Sequence, residues 1–196
     1  MGKGSNAFGS ILLIAVFFLL AAAYVNNGGQ GNTETHTVSQ GVSIDNVEKE
    51  IFNEVNSERT ARGLSILSWD PDLNAIARTH SANIAPSGKA AHEFDGKLVE
   101  GRYKLAGYAC AVPVDKYMYA YGGENVHNYK INGWDEHQLA YVTMYGGFSR
   151  EANLRVIGFM YSPGHKENLL RPYWKNLGVG VAIAPNGQMA VTQDFC

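Results

Sequence analysis

Residues Ile11 to Val25 read ILLIAVFFLLAAAYV, and no charged side chain interrupts them. Lys3 is the only charge before this block. Nothing polar alternates with the apolar residues, so the segment has no wet face to show as a surface helix. A positive start followed by about 15 apolar residues is the pattern of a secretory signal. Counted from Ala7, with Gly9 and Ser10 tolerated, 19 residues reach Val25. A full span needs roughly 20 residues at 1.5 Å each. Residues 1–25 are therefore expected to be an N-terminal hydrophobic helix, retained as a signal anchor. Cleavage as a signal peptide is the second reading, because Ala21-Ala22-Ala23 offers an A-x-A site. A buried core helix is the third. On the first two readings the block is subtracted from the folding problem.

Residues 26–43 (NNGGQGNTETHTVSQGVS) are nearly free of apolar side chains and cannot offset the entropy of ordering them. They are expected to be a flexible tether, with His36 solvated. The folded module then runs over residues 44–196, and roughly 150 residues bury ~70% of the unfolded chain's surface. The overall 45% hydrophobic content overstates this module's core, because the N-terminal block inflates it. Sixteen Lys and Arg against 18 Asp and Glu give a net charge of −2, which leaves no bulk basic field for nucleic acid.

Within the module, Val47, Ile51, Phe52 and Val55 recur at helical spacing, with Asp45 as the expected N-cap and Gly63 ending the run. Asp70 and Pro71 begin a second helix, whose apolar face holds Leu73, Ile76, Ala77, His80 and Ile84; Pro86-Ser87-Gly88 stops it. A shorter helix is expected from Lys97 to Leu105. Glu124–Tyr129 alternates as a strand does. Residues 135–146 and 149–162 read as helices parted by Gly146-Gly147. Leu177–Ile183 and Met189–Phe195 flank Pro185-Asn186-Gly187, a strong hairpin signal. Helices first and an antiparallel hairpin last predict an α+β fold.

The chemistry-bearing residues are few. There is no phosphate-binding glycine loop, no G-x-S-x-G and no H-E-x-x-H. Two cysteines, Cys110 and Cys196, are too few for a disulfide-built miniprotein or a four-thiolate zinc site. In an exported protein they would most simply pair; a free thiol, or two cysteines too far apart, are the alternatives. His92, Glu124 and His165 each adjoin small residues that let a backbone approach closely. Histidine and glutamate can share a divalent metal or exchange protons, although spacing alone favours three unrelated polar residues.

Ordered motifs tie these residues together. Asn56-Ser57-Glu58-Arg59, Gly63-Leu64 and Leu67-Ser68-Trp69-Asp70 come first. Leu73, Ala77, His80-Ser81 and His92 follow, then Arg102 with Ala106-Gly107-Tyr108, and Gly123-Glu124-Asn125. Ser162-Pro163-Gly164-His165 precedes Asn168-Leu169-Leu170, and Gly178-Val179-Gly180 with Thr192-Gln193-Asp194-Phe195 closes the series. The module resembles the CAP superfamily of cysteine-rich secretory, antigen 5 and pathogenesis-related proteins, in its shorter prokaryotic SCP-like branch. The resemblance implies a three-layer α-β-α sandwich with a central antiparallel sheet. It also implies a surface cleft in which His92 and His165 match the two histidines and Glu124 one of two acids. The other acid normally follows an aromatic by three residues; here Phe159 is followed by Ser162, so that acid is missing or supplied elsewhere, as by Glu151 or Glu167.

The cleft residues are thus His92, Glu124, His165 and Ser162, with His92, Glu124 and His165 as ligands for zinc or another divalent metal. No catalytic residue is assigned. His80, Asn56 and Arg59 are read as structural, and His127 and His137 are left out of the site. Glu124 and His165 lie 41 positions apart, about twice the family's usual distance. The insertion, about Tyr129 to Asn153, is expected to add a helix beside the cleft. Its Trp134, Tyr141, Tyr145 and Phe148 either cover the core or form an apolar lip. The expected function is an extracytoplasmic ligand-binding or interaction module, membrane-anchored or secreted. Its partner would be a small ligand, lipid, peptide or envelope component. A metal-dependent hydrolase and a structural envelope protein with an inert cleft are the alternatives.

Overall fold

The computed structural model describes residues 41–131, 133–149 and 154–196. The hydrophobic block, most of the tether, His36 and Glu151 lie outside them. Among the described residues no helix is long and apolar enough to cross a membrane.

Helix α1 covers Ile44–Thr60. Its N-cap is Ser43, two residues before the expected Asp45, and the Ser43 side chain accepts from the Asn46 backbone N–H. Asp45 instead pairs with Arg78 of the next helix. After the two-residue strand β1 (Ser68–Trp69), α2 spans Pro71–Ile84. Asp70 caps it as predicted, accepting from Asp72 and Leu73 N–H groups, with Pro71 in the first turn. Helix α3 is Val99–Leu105, and the short strands β2 (Val112–Pro113) and β3 (Tyr119–Ala120) pair antiparallel. Strand β4 (Gly123–Lys130) contains the alternating segment and runs longer than expected. Helix α4 is Glu136–Tyr145, opened by a capping box between Asp135 and Gln138.

The described residues of 149–162 do not form the expected helix. Strands β5 (Gly147–Ser149) and β6 (Leu154–Val156) pair antiparallel there, followed by a 3-10 turn at Phe159–Tyr161. Gly146 and Gly158 force this. A Cβ on Gly158 would lie 2.3 Å from the Gly146 nitrogen, so the two backbones cross where a helix would need side-chain room. Helix α5 is Pro163–Leu169, and β7 (Asn176–Ile183) with β8 (Gln188–Phe195) forms the predicted hairpin.

The main sheet has the order β1-β7-β8-β4. It is mixed rather than purely antiparallel, because β1 runs parallel to β7. A two-residue strand between two helices is too short to show a period, which hid it in the sequence. Beyond β1 the edge of β7 is open, and side chains close it: Glu48 accepts from Val181 N at 2.9 Å and Asn74 donates to Val179 O.

One face of the sheet lies so close to α2 that only glycine fits. A Cβ on Gly178 or Gly180 would sit 2.2 and 2.0 Å from the backbone of α2. Glu124, Asp194 and Gly178 are in register across three strands on this face. The opposite face carries Val179, Val191, Met189 and Phe195 into the main core with Val47, Ile51, Val55 and Leu139 of α1 and α4. The layers are therefore α2 against one face and α1 with α4 against the other, an α+β arrangement. Cys110 and Cys196 are bonded, with Cα atoms 5.6 Å apart, tying the end of β8 to the loop after α3.

Candidate functional site

A surface cleft of about 540 Å³ opens at the N-terminal end of β4. His92, Glu124, Ser162 and His165 all line it, so four residues spread over 74 positions meet at one place. Asn125, Asn168, Arg171 and Trp174 also line it; the first two stood in the sequence motifs without a site role, and the last two in none. The cleft straddles the free edge of β4, which is why residues from both faces of the sheet reach it.

Gly123 sets the floor. A Cβ there would meet the Trp174 ring at 2.6 Å and Asn168 Oδ1 at 2.9 Å. The next residue, Glu124, has a side chain only 3% exposed. Its Oε1 lies 2.8 Å from His92 Nδ1, and its Oε2 is paired with Arg102 of α3. His80 Nε2 stands 3.7 Å from the same oxygen. Arg102 also donates to the carbonyls of His92 (2.9 Å) and Lys97 (3.1 Å), so one guanidinium pins the His92 loop and the buried carboxylate together.

His92 is half exposed, and its Glu124 hydrogen bond raises its pKa above the ordinary value, against the opposing effect of partial burial. Glu124 thereby fixes Nδ1 as a donor and leaves the other ring nitrogen toward the cleft. His165 behaves oppositely. Burial, with His127 and His92 nearby, pushes its pKa down to about 4, so it is neutral. Its ring packs edge-on against Phe159, with centroids 5.0 Å apart. Asp194, beside Glu124 in register, is fully buried with no partner for either oxygen. Burial and the neighbouring Glu124 raise its pKa well above the ordinary aspartate value, against the opposing Arg102.

On the other wall, Asn125 donates to His165 O (3.1 Å) and Gln193 Oε1 (3.0 Å), while its own Oδ1 accepts from Asn168. Trp174 Nε1 donates to Asn168 O at 3.1 Å. Arg59 reaches from α1 to the carbonyls of Leu169 and Arg171, at 2.8 and 3.0 Å. The Asn56 side chain exchanges two hydrogen bonds with the Leu67 backbone. Both residues are structural, as expected, and Arg59 holds up the α5 side of the cleft.

His80 is fully buried and donates from Nε2 to Ala91 O at 2.8 Å. It is a core histidine that also touches the site's ion pair. His127 points across the sheet, with Nε2 donating to Ile157 O, and His137 sits at the surface near Glu50. Glu167 is 72% exposed and contacts Arg171 rather than the cleft; the second carboxylate on the lining is Glu100 of α3. Among the described residues, the insertion does not line the cleft. Helix α4 packs on α1, where the Tyr145 hydroxyl lies 2.8 Å from a carboxylate oxygen of each of Glu54 and Glu58 and can donate to one of them, and Trp134 tilts on the core residue Tyr129. The physical reason is its buried side, Leu139, Ala140, Thr143 and Met144, which belongs to the core.

The three-ligand metal set would require Glu124 to bind an ion while it also accepts from His92 and pairs with Arg102. A zinc-bound carboxylate needs a lone pair directed at the ion. Each oxygen of Glu124 already has a protein partner, His92 on one and Arg102 on the other, and the guanidinium puts positive charge beside the carboxylate. Among the described residues no three His, Cys, Asp or Glu side chains gather as a metal group.

The chain was compared with known proteins. The model of the cysteine-rich secretory protein family, CAP, matches residues 52–195. No curated protein sequence matches. Among solved structures, an outer surface protein of Borrelia burgdorferi is similar at 15% identity and a TM-score of 0.55, over 79% of this chain and 94% of that one. An extracellular SCP-domain protein of Bacillus anthracis is similar at 20% identity and 0.53, over 77% of this chain. A cysteine-rich secretory protein of Staphylococcus aureus is similar at 19% identity and 0.50, over 81% of this chain. This chain covers only 40% of the latter two proteins. These likenesses concern the fold. With the family match spanning most of the chain, it belongs to the cysteine-rich secretory protein (CAP) family.

Proposed function

We propose that this protein is an extracytoplasmic interaction module, with the cleft of His92, Glu124, Ser162 and His165 as its binding site. One observation carries the reading: a 540 Å³ concavity into which loop, helix and strand residues from separate parts of the chain converge. Pockets of this size with a few converging polar groups are the usual form of a small-ligand site. The Cys110–Cys196 bond supports an oxidising compartment. The solved relatives are described as extracellular, outer-surface and secretory proteins, which supports export of this one. The uncharged block at residues 11–25 would hold the module to a membrane through the 26–43 tether, or release it if cleaved.

The metal-dependent hydrolase asks for Glu124 as ligand or base, and that carboxylate is engaged. Binding is therefore favoured over turnover. Soaking crystals of the full chain in a mixed fragment set tests this. Fragments resting against His92 and Trp174 are expected. Fragments found only in other grooves, such as the one lined by Ile44, Val181 and Pro185, would overturn it.

A further inference from the structure

We propose that the tip of the β2–β3 hairpin rests in the headgroup region of a lipid bilayer, with Tyr117, Tyr119 and Tyr121 as the contact side chains. This contact is separate from the cleft and rests on the reading that residues 11–25 hold the module to a membrane.

Among the described residues, five large exposed hydrophobic side chains fall within eight positions: Val114, Tyr117, Met118, Tyr119 and Tyr121. Ala120 packs on the main core, so Tyr119 and Tyr121 on either side of it point outward. Tyr117 is 81% exposed, and the other two tyrosines more than half. None of the three lines the cleft. Tyrosines at such exposures show roughly 300–500 Å² of side chain. A patch of a few hundred square ångströms marks a contact surface, whereas a stable protein interface needs about 800 Å² from each partner. The area suits a shallow bilayer contact and falls short of a stable dimer.

The tip is held in shape before any contact. Asp115 Oδ1 accepts from the Tyr117 N–H at 2.7 Å and the Met118 N–H at 2.9 Å, and Val114 N donates to Met118 O at 2.9 Å. The Cys110–Cys196 bond fastens the chain just before β2. Little ordering entropy is left to lose on contact. Lys116 Nζ stands 5.3 Å from the centre of the Tyr117 ring, which pairs an ammonium with an aromatic as side chains at headgroup level do. Asp115 and Lys116 are the only charges from Val112 to Tyr121, so the tip is neutral overall and its hold is apolar.

Chain length supplies proximity. Residues 26–40 separate the apolar block from the first described residue, and 15 residues span at most about 50 Å. A compact body of about 150 residues has a radius of gyration of roughly 15 Å. A module on so short a lead stays beside the bilayer, and contact becomes an intramolecular event for which a weak patch suffices.

The test uses the full chain in phosphatidylcholine nanodiscs that contain a trace of lipid with a gadolinium-chelating headgroup, read by the methionine methyl signals in NMR. Met118 is exposed at the tip, and the buried Met144 and Met189 serve as references. Met118 is expected to broaden several-fold more than either reference, to the same extent at low and high salt. The double variant Tyr117→Ser/Tyr119→Ser is expected to lose most of that excess, with unchanged Met144 and Met189 shifts as the check on folding. Met118 broadening no greater than the references, equal broadening in the double variant, or release by salt overturns the proposal. A chain that leaves the discs altogether contradicts the anchored reading and takes this inference with it. A chain retained in the discs without the Met118 effect refutes this inference alone.

Discussion

At the scale of single residues, the site depends on the buried Arg102–Glu124 pair. Removing one partner leaves the other charge unpaired in a dry environment. Arg102→Ala is expected to cost about 3 kcal/mol in denaturant unfolding. The double change Arg102→Met with Glu124→Gln should cost less than Arg102→Ala alone, since no stranded charge remains. A double variant less stable than the single would show that the pair is stabilising in its own right. His165 sets a pH dependence of the opposite kind to His92. Its folded pKa of about 4 lies below the ordinary histidine value, so the unfolded chain binds the proton first. Stability is complete above about pH 6.5 and falls as pH drops toward 4, by on the order of 2 kcal/mol after solvent screening. His165→Gln should flatten that acid limb; an unchanged limb would place the loss on other groups. Of these residues, His92, Glu124 and His165 were legible through their motifs. Arg102 appeared only as part of a motif with Tyr108, and its pairing with Glu124 rests on a contact 22 positions distant that no local pattern encodes. Arg171 and Trp174 carried no signal at all.

At the scale of elements, the clearest sequence signals were those with local physical causes. Asp70-Pro71 caps α2 where a cap and a first-turn proline should stand, and Asn186-Gly187 turns the β7–β8 hairpin, with Gly187 at φ 79°. Two misreadings have equally specific causes. Asp45 has the chemistry of an N-cap, but Arg78 competes for it and Ser43 takes the position. Residues 149–162 look helical by composition, but Gly146 and Gly158 cross closely and the described flanks, 147–149 and 154–156, pair as antiparallel strands. The Gly178-Val179-Gly180 segment is a packing device: each glycine lets α2 approach the sheet without a side chain between. Gly180→Ala is expected to lose roughly 3 kcal/mol, because the methyl would collide with backbone that no rotamer change can move. A loss below about 0.5 kcal/mol, within the usual range of surface changes, would contradict that close approach.

At the scale of the whole molecule, one bond ties the C-terminus to the loop after α3 across 86 positions. Constraining a loop of that length in the unfolded chain is worth about 4 kcal/mol. The Cys110→Ser/Cys196→Ser variant should therefore unfold at lower denaturant by about that amount; equal stability would mean the bond does not form. The α+β class followed from the order of helices and hairpin, and the layered arrangement was what the resemblance to the CAP superfamily implied. The mixed character of the sheet did not, because β1 has only two residues. Bringing α3, the His92 loop and β4 to one point requires the whole fold, so the Arg102–Glu124–His92 contact reports on architecture and site together. The measurement that tests it most directly is the side-chain ¹⁵N NMR titration of the histidines in the full chain, with and without Glu124→Gln. His92 is expected to titrate above the ordinary 6.5 in the native chain and to fall when Glu124 is neutralised, while His165 stays near 4 in both. A His92 that titrates at 6.5 in both proteins would contradict the cleft described here.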